Sequence, residues 1–136
     1  MAFKFQPSEI VMWHIFKIAI PSAKDYNQTP HYHVIAYVDA SRDDYRGFVI
    51  TSNPAKKARD APSCLISIKA SELGVLRHDS FLFLDRGQRF SSDDLLNEGI
   101  FYGSLTPNVI KRVQNNVFDC KIIPSKIRDA ILAFKG

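Results

Sequence analysis

Apolar and polar positions follow a period of two through the first two-thirds of this chain and a period near 3.6 towards its end. After a lead-in over residues 1–9, β-branched and aromatic residues dominate from Ile10 to Ala19, which predicts a strand interrupted by His14 and Lys17. A polar, proline-flanked loop runs from Pro21 to Pro30. Two apolar runs then follow, Val34–Val38 and Phe48–Ile50, joined by the polar segment Asp39–Arg46, and they predict strands over about 33–39 and 46–51. The basic loop NPAKKARDAPS precedes further short strands at Cys64–Lys69 and Ser80–Leu84, with a helical turn over Ser71–Leu76 between them and a brief strand at Arg89–Ser91. Ser91 or Ser92 is placed to cap a short helix over Asp93–Asn97, which Gly99 ends. Helical spacing is clearest from Leu105 to Val117, where Val109, Ile110, Val113 and Val117 share a face behind Thr106 and Pro107. A last helix is expected from Ser125 to Lys135. Strands first and helices last predict a mostly β or α+β fold: a small curved sheet with helices against one end.

Composition narrows the classes. With 136 residues, 46% of them hydrophobic, the chain suits one domain with a true core. No apolar run reaches the roughly 20 residues of a membrane span, and Ile10–Ile20 lacks a signal-peptide cleavage pattern. The expected address is therefore the cytoplasm, with no membrane partner. Cys64 and Cys120 sit in strand-like apolar surroundings without metal spacing, and they are expected to be reduced core thiols. A formal charge of +4 suits a polyanionic ligand without demanding one.

Candidate chemistry gathers where the two central runs begin and end. If they pair as an antiparallel hairpin, His31 and His33 at the start of one lie near Thr51 and Ser52 at the end of the other. Imidazoles exchange protons near neutral pH, and hydroxyls can hold phosphate oxygens. The strand period also puts His31 and His33 on one face, a spacing metals use, but nothing supplies a third ligand beyond His14, His78 or Asp79, so no metal and no cofactor are expected. His78-Asp79-Ser80 is no triad, since neighbouring residues cannot converge on one atom; Asp79 is expected to brace a turn. Lys56, Lys57 and Arg59 are a solvated loop or, with RNA bound, a phosphate clamp. Tyr26, Tyr32 and Tyr45 are rim residues or stacking platforms.

The words HYHVIAYV, FVITS, HDSFLFLD and SLTPNVIKRV, in that order over roughly Ile10–Val117, resemble the MazF/PemK toxin family. The resemblance implies one domain over 1–136, an SH3-like barrel with its core at about 10–117, closed by the helix after SLT, and a C-terminal helix at about 125–135. It implies a metal-independent endoribonuclease, cleaving single-stranded RNA by 2′-hydroxyl attack to leave a cyclic phosphate. It further implies a homodimer and a small antitoxin partner. In that family an Arg opens the second strand and a Thr closes the third. The Thr matches Thr51, whereas His31 stands at the Arg position, and the Arg-Pro pair is replaced by Pro30 before His31. The expected catalytic set is His31 and Thr51, with His33 and Ser52 assisting, and Lys56, Lys57, Arg59, Tyr32 and His78 binding RNA. His for Arg weakens the fixed positive charge, which motivates the alternative of a non-catalytic SH3-like module that binds RNA or a protein.

Overall fold

Four consecutive residues near the middle of the second strand, His33, Val34, Ile35 and Ala36, are all buried, so this strand is covered on both faces. The structure, a computed structural model, describes residues 6–19, 30–52 and 62–135. Within them the strands are β1 (His14–Ile18), β2 (His31–Asp39), β3 (Asp44–Thr51), β4 (Leu65–Ile68), β5 (Ser80–Phe83), β6 (Gln88–Phe90) and β7 (Ile100–Ser104). Two helices follow, α1 (Pro107–Asn116) and α2 (Ser125–Ala133). The strands form a seven-stranded antiparallel sheet in the order β4-β5-β3-β2-β1-β7, with β6 also on β3. The fold is thus a small α+β domain, mostly antiparallel sheet with helices at its C-terminal end, as the order of periodicities predicts.

The two faces of the sheet bury separate clusters. On one side Ile15, Val34, Phe48 and Ile50 pack with β4, β5 and the apolar stripes Val109–Val113 and Ile127–Ile131 of the helices. On the other, Phe16, Ile18, Ile35, Tyr45 and Phe90 close beneath Leu95. Double coverage explains why residues 34–36 read as a continuous apolar run rather than an alternation. Between Ile35 and Tyr37 the β2–β3 register slips by one residue, a bulge at Ala36.

Polar contacts fasten the helices to the sheet. Arg112 of α1 forks onto Glu72 at 2.6 and 3.0 Å and donates to the Ser67 carbonyl at 2.8 Å. Asp44, buried on β3, takes a two-point contact from Arg46, and Lys126 of α2 stands 3.5 Å from it. The Arg46 hydrogen bond holds the Asp44 carboxyl below its ordinary pKa. Part of the chain's basic excess is thereby spent on architecture.

Four local expectations are revised. The first strand starts at His14 rather than Ile10, because Trp13 takes a left-handed conformation with φ of 74°. Residues 100–104, to which the sequence pattern assigns no element, form the edge strand β7. The short helix after β6 is a π turn at Asp94–Glu98, and Ser91 is its cap: its Oγ accepts from the Asp94 N–H at 3.0 Å while Asp94 accepts from the Ser91 N–H at 2.9 Å. Cys64 and Cys120 are bonded as a disulfide rather than reduced. The 3₁₀ turn before β4 and the end of the turn after α1 bring their Cα atoms to 4.7 Å, a juxtaposition that sequence spacing does not encode. Among the described residues no helix is long and apolar enough to cross a membrane.

Candidate functional site

The β2–β3 pairing carries the site. His33 pairs with Val49, so two residues further along both strands His31 comes level with Thr51. On the far side of β3, Thr51 pairs with Phe81 of β5. The hairpin geometry expected from the sequence therefore brings an imidazole beside a hydroxyl at one end of the sheet. Ser52 follows, exposed, and lines the same opening.

His31 and Thr51 form the rim between two clefts. The larger, about 790 Å³, lies over the helix-bearing face and is walled by Lys17, Tyr32 and Tyr102 on one part and by Arg77 and His78 on another. Lys17 pairs with Tyr32 across β1 and β2, and its ammonium sits 5.5 Å from the Tyr32 ring centre. Tyr102 of β7 meets Tyr32 edge-on at 5.2 Å. The described residues lining this cleft include Lys17, Arg77, His31 and His78 but no Asp or Glu. Cations interleaved with aromatic rings, with no opposing carboxylate, favour an anionic ligand that also offers flat faces. The second cleft, about 460 Å³, lies on the other side of the rim, with His33, Gly47 and Val49 along the strands and Asp85–Gln88 opposite.

The two strand histidines differ in kind. His31 is exposed. His33 is 1% exposed, its ring edge-on to Phe90 at 5.2 Å, and its Nδ1–H donates to the His31 carbonyl at 3.0 Å. Burial lowers its pKa from 6.5 to about 4, so near neutral pH it is an uncharged ring that fixes the backbone carrying His31. The expected role of proton-transfer helper suits it less than that of support.

The word HDS resolves into turn chemistry plus one cleft residue. Asp79 accepts the Ala70 N–H at 2.9 Å, and Ser80, buried, donates to the His78 carbonyl at 2.9 Å. His78 is left exposed in the cleft wall. Tyr45 is a core residue, 1% exposed. Lys56, Lys57, Arg59 and Tyr26 lie outside the described residues. His14 accepts from the Val11 N–H at 3.4 Å, away from the rim, and no group of three or more His, Cys, Asp or Glu among the described residues gathers closely enough to hold a metal ion.

Lys17 and Tyr102 are not marked as site residues by the sequence pattern, and Arg77 enters it only as part of the basic excess. Lys17 reads as a polar interruption of a strand, and only its pairing with Tyr32 shows where it sits. Tyr102 belongs to a strand that was not expected at all. The chain matches no family model and no curated protein.

Proposed function

We propose that the chain binds single-stranded RNA across the His31–Thr51 rim and cleaves it without a metal, as the MazF/PemK-like pattern of its sequence implies. The observation that carries this reading is the larger cleft, where His31, Thr51, Lys17, Arg77 and His78 meet two tyrosines and no carboxylate among the described residues. In the reaction the ribose 2′-hydroxyl attacks the adjacent phosphorus. The O2′–P bond forms, the P–O5′ bond breaks, and a cyclic phosphate and a free 5′-hydroxyl result. His31 in its neutral form would accept the 2′-hydroxyl proton. His78 in its protonated form would return one to the departing O5′. The Thr51 hydroxyl and the Lys17 and Arg77 cations would oppose charge on the non-bridging oxygens. Tyr32 and Tyr102 would stack the flanking bases. Ser52, adjoining Thr51, would add a hydroxyl to the phosphate contacts, and Lys56, Lys57 and Arg59 would hold flanking phosphates. The toxin reading also carries a homodimer and an antitoxin that occludes the cleft.

One observation favours a second reading. A histidine in place of a permanent guanidinium leaves less fixed charge at the rim, which suits an SH3-like module that binds RNA without cutting it. Incubation of purified protein with a long single-stranded RNA in EDTA separates the two. Discrete fragments ending in cyclic phosphate, reduced at least about a hundredfold in His31→Ala and Thr51→Ala, support the nuclease. Intact RNA with retained binding favours the module, and intact RNA without binding sinks both.

A further inference from the structure

The second cleft does not end at the rim. Gln88, which lines it beside Arg86, also lines a third cleft of about 410 Å³ that includes Arg42, Arg89, Asp43 and Asp94. The three depressions thus share walls in pairs, the first two at His31 and Thr51 and the last two at Gln88. Along β3 this second half runs from Thr51 back through Val49 to Gly47, the cross-strand partner of Gln88. At strand rise those four residue steps cover roughly 13 Å, more than a single nucleotide bridges.

Formal charges along this half balance, but their orientation does not. The carboxylates are turned onto their own chain. Asp85 accepts the Gly87 N–H at 2.8 Å, Asp43 the Ser92 N–H at 2.8 Å and Asp94 the Ser91 N–H at 2.9 Å. The hydrogen bonds from Ser92 hold the Asp43 carboxyl below its ordinary pKa, so it stays an anion committed to that amide. The cations point outward. Arg86 is exposed, and the side chain of Arg89 is 60% exposed although its Nε pairs at 3.6 Å with Asp44, a carboxylate shared with Arg46 and Lys126. A chain of phosphates laid in this groove would meet guanidinium groups before it met an uncommitted carboxylate.

We infer that a single-stranded RNA held at the His31–Thr51 rim continues along the β5–β6 loop, with Arg86 and Arg89 holding the phosphates beyond the rim. This rests on the RNA reading above and deepens it: the substrate is an extended strand of several nucleotides rather than a dinucleotide or a mononucleotide. Phe83, on the wall of the second cleft, supplies a ring in the same path.

The test uses mixed-sequence 2′-O-methyl oligoribonucleotides, which lack the attacking hydroxyl and so report binding alone. Fluorescence anisotropy compares a trinucleotide with an oligonucleotide of about nine residues, inside the range of single-strand site sizes. Arg86→Gln combined with Arg89→Gln should weaken the longer probe about tenfold and lower its salt slope by about one for each phosphate left without its guanidinium. The trinucleotide should be unaffected, whereas Lys17→Ala should weaken both probes. Arg86→Glu, which leaves the Asp44 cluster untouched, should reproduce the length-dependent weakening if the double variant proves unstable. Equal affinity of the variants and the parent for the longer probe overturns the path, as does an equal weakening for both probes. If neither probe binds the parent protein, the RNA reading itself fails along with it.

Discussion

His31 and His33 lie two residues apart on one strand, yet burial gives them different chemistry. His33 has a folded pKa of about 4, well below the 6.5 it has in an unfolded chain, because the charged ring would be desolvated. The unfolded chain therefore takes the proton first as pH falls. Stability from this residue is complete above about pH 6.5 and declines towards pH 4, by an amount on the order of 3 kcal/mol. His33→Gln keeps an N–H for the His31 carbonyl but does not titrate. Chemical denaturation at several pH values between neutrality and pH 4 should show a flatter dependence for the variant than for the parent. An unchanged slope would mean that other groups carry the acid sensitivity. The identities of His31 and Thr51 were legible because a two-residue period and an antiparallel hairpin fix their relation. The cover that Phe90 gives His33 was not, because that ring arrives from a strand far along the chain.

At the scale of the element, turn chemistry was more legible than short strands. Asp79 bracing a turn and Ser91 capping the segment after β6 follow from side chains that satisfy backbone groups a few residues away or across one loop. Strand β7 was missed because five residues with Gly103 inside, at φ of 93°, carry little strand pattern, and Ile100 and Tyr102 lie exposed at the sheet edge. Its pairing with β1 comes instead from the turn that precedes it. There Gly99 is required for space: an added Cβ would lie 2.7 Å from the Leu95 carbonyl oxygen and 3.2 Å from the Phe16 ring. Gly99→Ala should cost about 2 kcal/mol through displaced backbone. Gly74→Ala, where an added Cβ meets nothing within 4 Å, should cost much less. Urea midpoints of the two variants test this, and equal midpoints would contradict it. Because β7 carries Tyr102, Gly99→Ala should also weaken RNA binding in the larger cleft.

Across the whole molecule, one covalent link joins segments 56 positions apart, from the start of β4 to the turn after α1. Both cysteines are buried in the cluster shared by the sheet and the helices. The two-cysteine pattern reads as reduced thiols because apolar surroundings predict burial but say nothing of partners; pairing is set by how α1 packs on β4, through Arg112 and Glu72 as well as apolar contacts. Closing a loop of that length removes unfolded-state entropy worth about 4 kcal/mol. For a chain of this size that corresponds to a thermal midpoint on the order of 10 °C higher than in the open form. Disulfides persist chiefly in oxidising surroundings, so the protein in a reducing cytosol would work without this increment. Scanning calorimetry with and without dithiothreitol should show the drop, and Cys64→Ala with Cys120→Ala should start near the reduced value and not respond to the reductant. Neither cysteine lines any of the three clefts, so RNA affinity at 25 °C should change little while the midpoint falls. A parent protein whose midpoint ignores the reductant would show that noncovalent packing of α1 on β4 alone holds the two layers together.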